Sequence, residues 1–255
     1  MGNRMSVDER KNEILRILEE NNAIRAGEMA ARFGVSEDTI RRDLRSLADE
    51  GLIRRVYGGA VSPTHTSQVF ADRLNESVGA KSAIVEAAVQ LVQPRQTLFL
   101  DAGTTAAALA ASLPNNIPLT VLTHSLPAAM ALVGKPMIEV VVLGGKLLQI
   151  SAAMVGTEVV SGYTQCRADL CFLGVTSVSA ETGVSVFDFE NAEVKRAMIG
   201  AAQQVAVLAA ADKLGTNAPF LVGAPSAIDW LITDAPSNSS QVEAIRGAGV
   251  EVITA

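Results

Sequence analysis

The chain has 255 residues, 49% hydrophobic and 19% charged, and carries a formal net charge of −6. This composition argues against a disordered chain and for a folded one with one large or two modest domains. The longest apolar run is interrupted by Lys135, Pro136 and Glu139, so no membrane-spanning helix is predicted. The N-terminus mixes charges of both signs and does not resemble a secretory signal, so we expect a cytoplasmic protein.

Cysteine and histidine are too few and too scattered to indicate a metal centre. We expect Cys166 and Cys171 to remain thiols in a reducing compartment, and His65 and His124 belong to no motif with ligand spacing. The sequence therefore predicts no metal and no other cofactor.

The acidic residues are unevenly distributed along the chain. Residues 1–62 carry 11 Lys and Arg against 11 Asp and Glu, which leaves 10 against 16 for the remainder. Ten of the 11 N-terminal cations are arginine, the side chain suited to forked contacts with phosphate and guanine. The N-terminal part is thus neutral and arginine-rich, although it does not form a basic stripe.

Three helices are predicted in the first 51 residues. The first begins at the capping-box pair Ser6 and Glu9, and the second covers about Ala26–Phe33. Ser36 is a typical N-cap for the third helix, which Gly51 ends. Burial of Ile40, Leu44 and Leu47 leaves a polar face outside, made of Asp38, Arg41, Arg42 and Arg45. The second and third helices are typical of a helix-turn-helix.

A hairpin and a polar segment follow. Leu52–Tyr57 is β-prone and Gly58-Gly59 permits a tight turn before Ala60-Val61, which predicts the wing of a winged helix-turn-helix. We therefore place a DNA-binding domain at residues 1–62, a linker at 63–78 and a second domain at 79–255.

The second domain alternates between short apolar runs and helical segments. Strands are predicted at 97–101, 119–123, 138–143, 170–174, 205–210 and 230–233. Helices are predicted at 80–92, 105–112, 192–202 and 239–247. The fold class is therefore an α/β C-terminal domain with a largely parallel sheet, preceded by a small winged helix-turn-helix domain.

Several polar segments fall at the carboxyl ends of these strands, where open α/β sheets bind ligands. The segment between a strand and a helix can hold a phosphate on its backbone N–H groups, and Lys213 can supply a positive charge. The candidate effector-binding residues are Asp101, Gly103, Thr104, Thr105, Thr123, His124, Ser125, Gly144, Gly145 and Lys213. Residues 101–105 can equally be an ordinary helix cap, and Lys213 a surface lysine.

The motifs together resemble the DeoR family of sugar-metabolism regulators. The resemblance rests on residues 35–44 and 51–60, and on Asp101–Thr105, Thr123–Ser125, Gly144-Gly145, Glu193 with Lys195, and Ala211–Lys213. It implies a repressor of a carbohydrate-utilisation operon that binds double-stranded operator DNA as a homodimer or higher even oligomer, and that a phosphorylated sugar releases.

The resemblance also implies that the third helix enters the major groove while the wing lies on the DNA backbone. The candidate DNA-binding residues are Ser36, Thr39, Arg41, Arg42, Arg45, Arg54 and Arg55. The alternative is a solvated helix face on which Arg42 pairs with Asp38 and Arg45 with Asp49.

Through its family, the second domain is also similar to ribose-5-phosphate isomerases, so a sugar-phosphate isomerase with an appended DNA-binding domain is the alternative function. Those enzymes use an acidic segment after a central strand for proton transfer. Here that segment is 173–179 and contains Thr176, Ser177 and Ser179, and hydroxyls are poor general bases near neutral pH. The residues therefore favour a regulator rather than an enzyme.

Overall fold

The N-terminal unit is a winged helix-turn-helix. The computed structural model describes residues 6–21, 23–56, 59–61 and 70–255. The helices of this unit are α1 (Val7–Asn21), α2 (Ala26–Phe33) and α3 (Glu37–Asp49). Its antiparallel strands are β1 (Ala23–Arg25), β2 (Arg54–Val56) and β3 (Gly59–Val61), in the order β1-β3-β2. The predicted helix-turn-helix and wing are confirmed, although Tyr57 and Gly58 of the predicted turn lie outside the described residues.

Local sequence explains where α2 ends and α3 begins. Gly34 adopts a left-handed conformation with φ 64°, which stops α2, and the Ser36 hydroxyl accepts a hydrogen bond from the Thr39 N–H at 3.2 Å. Ile40, Leu44 and Leu47 are buried as predicted. Asp43 is buried between them and pairs with Arg10 of α1. The unit therefore joins an apolar core to one buried ion pair.

The C-terminal domain is built on a parallel sheet of seven strands. In chain order these strands are β4 (Thr97–Leu100), β5 (Leu119–Thr123), β6 (Ile138–Val142), β9 (Ala168–Gly174), β12 (Ala202–Leu208), β14 (Trp230–Thr233) and β15 (Glu251–Thr254). Their spatial order is β15-β14-β12-β9-β4-β5-β6, and every pair is parallel. The parallel sheet and its six predicted strands are confirmed, and β15 was not predicted.

Helices cover both faces of the sheet. They are α4 (Phe70–Arg73), α5 (Val78–Val89), α6 (Thr104–Ser112), α7 (Leu126–Leu132), α8 (Thr157–Thr164), α9 (Phe189–Gly200) and α10 (Ser240–Gly247). Buried residues of α5, α6 and α7 pack on one face, and those of α8, α9 and α10 on the other. The core therefore lies in two layers, as in doubly wound α/β folds.

Two small antiparallel sheets complete the domain. One contains β7 (Lys146–Leu148) and β8 (Ala153–Val155), and the other has the order β10-β11-β13 from Ser177–Ser179, Gly183–Val186 and Phe220–Gly223. Single 3₁₀ turns occur at Ala211–Lys213 and Pro225–Ala227. The small strands, α7 and α8 were not predicted, because such short elements carry little periodicity.

The strand order reverses between β4 and β9. From β4 the chain adds β5 and β6 on one side, whereas β9, β12, β14 and β15 continue on the other. In doubly wound sheets a crevice forms at the carboxyl ends of the two strands that flank such a reversal. The topology therefore directs attention to Asp101, which follows β4, and to Gly174, which ends β9.

The segment predicted as a linker contains structure of its own. The helix Phe70–Arg73 lies within residues 63–78, and α5 begins at Val78. Residues 62–69 lie outside the described residues. Within the ranges that the structure describes, no helix is long and apolar enough to cross a membrane.

Candidate functional site

The candidate DNA-binding side chains lie on the outer face of α3 and on β2. Arg41, Arg42 and Arg45 are exposed, Thr39 is half-buried, and the Ser36 hydroxyl caps the helix. The structure places Arg55 exposed on β2 beside Arg54, whose side chain lies outside what the structure describes. Helix α3 and the wing thus present four of the predicted arginines on the surface: Arg41, Arg42, Arg45 and Arg55.

Two of these arginines pair within α3. Arg41 contacts Glu37 at 2.9 Å and Arg42 contacts Asp38 at 2.7 Å, and all four side chains are more than half exposed. Exposed pairs of this kind contribute little to stability, so the arginines can exchange carboxylate for phosphate at small cost. The predicted alternative pair of Arg45 with Asp49 does not form among the described residues.

The candidate effector residues follow the carboxyl ends of four parallel strands. Asp101 follows β4, Thr123 ends β5, Gly144 lies two residues beyond β6, and Lys213 lies in the 3₁₀ turn after β12. Since these ends share one edge of the sheet, the residues predicted from separate motifs lie at a common edge.

The loop between β4 and α6 contains a glycine with a specific conformational role. Gly103 has a φ of 118°, and a Cβ there would meet nothing within 4 Å. Its backbone conformation is therefore a reason for glycine at this position. It precedes the first turn of α6, where the N–H groups of Thr104 and Thr105 have no partner within the helix.

Gly145 is a position where space does exclude a side chain. A Cβ there would lie 2.6 Å from the carbonyl oxygen of Val155, whereas a Cβ at Gly144 would meet nothing within 4 Å. Gly145 thus lets the chain after β6 pass close to β8.

The polar residues after β5 are fully buried and form local bonds. The Thr123 hydroxyl accepts a hydrogen bond from the Ser125 N–H at 3.1 Å, and the Ser125 hydroxyl accepts one from the Ala128 N–H at 3.3 Å. These two hydroxyls shape the turn into α7. His124, between them, points toward Asp101 and Tyr163.

Asp101 is the centre of a buried polar cluster, formed with Lys195, His124 and Tyr163. Its Oδ2 atom accepts hydrogen bonds from the Gly174 N–H at 2.8 Å and from the Lys195 ammonium group. Lys195 also donates to the Gly174 carbonyl oxygen at 2.8 Å. The ammonium group therefore ties β4, β9 and α9 together where the strand order reverses.

Two atoms of this cluster are buried without a hydrogen-bond partner among the described residues: Oδ1 of Asp101 and Nε2 of His124. They lie 3.6 Å apart, beyond ordinary hydrogen-bonding distance. The Nδ1 atom of His124 lies 2.9 Å from the Tyr163 hydroxyl. If that hydroxyl donates to Nδ1, Nε2 carries the ring proton, so the cluster holds one donor and one acceptor that no described residue satisfies.

The pKa of His124 is lowered to about 4, because burial opposes the charged ring more than nearby Asp101 favours it. In the unfolded chain the ring protonates near pH 6.5, so the free energy of unfolding should fall as the pH drops below that value and level off near pH 4. Between pH 7.5 and pH 5, the wild type should lose about 2 kcal/mol more than His124→Gln, measured by urea unfolding. Parallel losses in both proteins would contradict a buried neutral histidine.

Lys213 is half-buried near three further cations. Burial lowers the pKa of its ammonium group, and the charges of Arg73, Lys81 and Lys195 lower it further, while Asp212 opposes them. Of these four cations, only Lys213 was predicted from the sequence as a partner for a phosphate. An edge rich in positive charge is notable because residues 63–255 carry 10 Lys and Arg against 16 Asp and Glu.

Sequence reasoning missed several of these residues. Lys195 was noticed in the motifs, but no role followed from its sequence neighbourhood. It lies in register with the buried residues Ala192 and Met198, and a lysine on the apolar face of a helix is the signal that could have identified it. Glu193 is half-buried and pairs with Arg196 at the surface of α9.

The segment after β9 holds hydroxyls, as the sequence indicated. Ser177 and Ser179 are buried in β10, and the Ser179 hydroxyl donates to the Asn217 side-chain oxygen at 3.1 Å. Asp101 accepts a hydrogen bond from the Gly174 N–H of this segment, but Lys195 already neutralises its charge. The arrangement suits binding better than proton transfer.

Comparisons with known proteins cover nearly the whole chain. The family model for the "DeoR-like helix-turn-helix domain" matches residues 10–66, and that for the "DeoR C terminal sensor domain" matches residues 76–235. The chain is 33% identical over 246 residues to the transcriptional regulator GolR of Listeria innocua, covering 96% of this chain and 97% of that protein. It is 30% identical to the glycerol-3-phosphate regulon repressor of Escherichia coli, covering 97% and 99% of the two chains.

Among solved structures, ribose 5-phosphate isomerase A from Methanocaldococcus jannaschii aligns with 52% of this chain and 52% of its own, at 20% identity and a TM-score of 0.37. These curated relatives align over nearly their full length and are named as regulators. This confirms the interpretation of the chain as a regulator and not an enzyme. The chain belongs to the DeoR family of DNA-binding transcriptional regulators.

Proposed function

We propose that the protein represses a carbohydrate-utilisation operon and that a phosphorylated sugar or polyol releases it from the operator. The observation that carries this proposal is the buried pair of unpartnered atoms, Asp101 Oδ1 and His124 Nε2, at a sheet edge that also holds several cations. Such a site offers a hydroxyl partner and phosphate partners together. The remaining effector contacts proposed are the N–H groups of Thr104 and Thr105, the turn at Thr123–Ser125, and the glycines after β6.

The proposed domain organisation keeps the boundaries that the sequence predicts. Residues 1–62 form the DNA-binding domain, 63–78 the connection and 79–255 the sensor. Proteins that bind repeated DNA half-sites usually do so as even-numbered oligomers, so we propose a homodimer or a higher even oligomer. Because its target is chromosomal DNA, the proposed place of action is the cytoplasm.

A contact between the two units supports a ligand-linked mechanism. Arg25, which precedes α2, donates to the Pro219 carbonyl oxygen at 2.7 Å, beside a groove of about 490 Å³ between the units. Residue 219 belongs to the same loop as Lys213, whose carbonyl oxygen accepts a hydrogen bond from the Thr216 hydroxyl at 2.8 Å. A ligand that binds Lys213 can therefore shift this loop and, through the contact with Arg25, change the position of α2. Repression is lost only if the ligand binds the DNA-incompetent arrangement more tightly.

The test of effector class is thermal unfolding against sugars and polyols, each offered free and phosphorylated. A ligand that binds only the folded state adds about 2.7 kcal/mol of stability at a hundredfold excess over its Kd. We expect a shift with at least one phosphorylated compound and none with its parent. Glycerol 3-phosphate belongs in the panel because of the name of the E. coli relative. Equal shifts with parent and phosphate would contradict the proposed class.

Replacing Arg45 with alanine is expected to weaken operator binding by about 1–3 kcal/mol and to reduce its salt dependence. Arg45 is exposed on α3, and it makes no ion pair within the part of the chain that the structure describes. Its guanidinium is therefore available to DNA without breaking an internal contact. Fluorescence anisotropy with a duplex selected from random sequences, measured at several salt concentrations, gives both quantities.

The matched control for this change is Arg167→Ala. Arg167 is exposed on the C-terminal domain and donates to the Gly200 carbonyl oxygen at 3.3 Å. It should leave DNA affinity unchanged. If both variants weaken DNA binding equally, the loss reflects the net charge of the protein, and α3 is not the helix that contacts the operator.

A further inference from the structure

The two edges of the large parallel sheet differ in how they are protected. Strand β15 forms one edge, where Glu251 is exposed and Arg246 donates to the Val252 carbonyl oxygen at 3.5 Å. Strand β6 forms the other edge. Native proteins usually block an edge strand with a charge, a proline or a covering segment. Among the described residues, none of these devices protects residues 140–142 of β6.

The backbone of β6 leaves hydrogen-bonding groups open on its outer side. The Leu143 N–H donates to the Thr123 carbonyl oxygen of β5 at 2.9 Å. Because bonding alternates between the two sides of a strand, the odd-numbered residues of β6 bond β5, and the N–H and C=O groups of Val140 and Val142 point outward. The N–H of Ile138 also points outward, but it already donates to a carbonyl oxygen of the preceding turn at 3.1 Å. The open part of this edge is therefore residues 140–142.

The surface around this edge is apolar. Thirteen large hydrophobic side chains are exposed among the described residues, and seven of them lie within residues 126–147, so they form a patch rather than a scatter. The most exposed of these are Met130 and Val133, at 69% and 73%. Helix α7 (Leu126–Leu132) contains no polar side chain at all. Since a helix that is apolar all round is typical of a covered position, we expect this side of the domain to be covered in the assembled protein.

We propose that β6 pairs antiparallel with β6 of a second copy of this chain, so that two seven-stranded sheets join into one. The inference rests on the even oligomer of the proposed function and names its interface. A strand edge is complementary to its own antiparallel copy, and a two-fold axis perpendicular to the sheet therefore satisfies both edges at once.

The open backbone groups fix the register of this pairing. Val140 of one copy opposes Val142 of the other, because these residues carry the free N–H and C=O groups. A register centred on Val140 would instead oppose Val142 with Ile138, whose N–H is already taken. Val141 then lies on the two-fold axis opposite its own copy, in a pair without hydrogen bonds whose Cα atoms are about 4.5 Å apart.

Helix α7 and the charges of β6 suit the same arrangement. α7 packs on the sheet through Ala128 and Leu132 and connects β5 to β6. Neighbouring strands lie about 4.8 Å apart, so α7 and its copy lie about 10 Å apart on one face, close to the usual distance between packed helices. Glu139, the only charged residue of β6, opposes Leu143 and does not meet its own copy. An apolar interface without like-charge repulsion favours a second copy over a charged partner.

Position 141 tests the register directly. Val141→Cys, made in a Cys166→Ser background, should form a disulfide between copies under mild oxidation, because a Cα separation of about 4.5 Å lies within disulfide range. The control is Thr254→Cys in the same background, since Thr254 is exposed on β15 at the opposite edge. On non-reducing gels we expect at least about fivefold more cross-linked dimer for Val141→Cys. Equal cross-linking of the two variants would overturn the pairing.

Analytical ultracentrifugation of the full chain measures the association itself. Val142→Lys places a charge on the open edge, and it should raise the dissociation constant of a wild-type dimer at least about tenfold, or split a larger even oligomer into halves. Thr254→Lys, with the same side chain on the opposite edge, should associate like wild type. Thermal unfolding checks that both variants fold, and the cross-linking result decides if Val142→Lys does not.

The outcomes separate this interface from the proposed function. Equal association of Val142→Lys and wild type would overturn the pairing of β6, whereas an even-numbered oligomer that binds its operator would leave the proposed repressor intact. A wild-type protein that binds its operator as a monomer would overturn both the proposed oligomer and this inference.

Discussion

Replacing Lys195 with methionine is expected to lower the free energy of unfolding of the C-terminal domain by about 3–5 kcal/mol. Lys195 and Asp101 are both almost fully buried, at 4% and 0% side-chain exposure. Without the ammonium group, the Asp101 carboxylate keeps the Gly174 N–H but loses its compensating charge in a medium that solvates it poorly. Methionine retains the length of the side chain, so the loss reports the charge more than a cavity.

Urea unfolding followed by fluorescence measures this effect, because Trp230, the only tryptophan, lies in β14 of the same domain. The control is Lys146→Met, which breaks an exposed pair with Glu190 at 2.7 Å and should change stability by less than about 1 kcal/mol. The double variant Asp101→Asn, Lys195→Met should cost less than the sum of the single changes, since it removes both buried charges. Similar losses for Lys195→Met and Lys146→Met would contradict a buried, compensated pair.

The elements that could be predicted from the sequence are those with a repeated apolar pattern. Ile40, Leu44 and Leu47 repeat at helical spacing, and the strands of the parallel sheet are near-continuous apolar runs. Strand ends could be predicted for the same reason, which is why Asp101 and Lys213 were identified as candidates. By contrast, β7, β8 and the other three-residue strands are too short to show a period.

The contacts that define the site could not be predicted in this way. Asp101 and Lys195 are 94 positions apart, and their pairing exists only because α9 packs beside the point where the strand order reverses. Arg73 lies in a polar stretch with no apolar repeat, so its sequence context indicated a linker.

Replacing Arg10 with methionine is expected to weaken DNA binding by unfolding part or all of the population of the N-terminal unit at 37 °C. The Nε and Nη2 atoms of Arg10 contact the two carboxylate oxygens of Asp43 at 2.5 and 3.1 Å, and both side chains are less than 8% exposed. Removing one partner of such a pair costs about 3–5 kcal/mol. A domain of this size has total stability of about 3–9 kcal/mol, so between about a third and all of it is lost.

Asp43 lies within the run of α3 that carries the candidate DNA contacts, yet it faces inward, so Asp43→Asn should act through stability and not through a lost contact. Circular dichroism should show reduced helix content at 37 °C in both variants, while the Trp230 unfolding transition of the C-terminal domain remains. Arg32→Met, which removes an exposed contact with Glu13 at 3.4 Å, should leave helix content unchanged. Because the cost is thermodynamic, lowering the temperature should restore part of the DNA binding of Arg10→Met. Full helix content without DNA binding would instead mean that Arg10 or Asp43 contacts the operator itself.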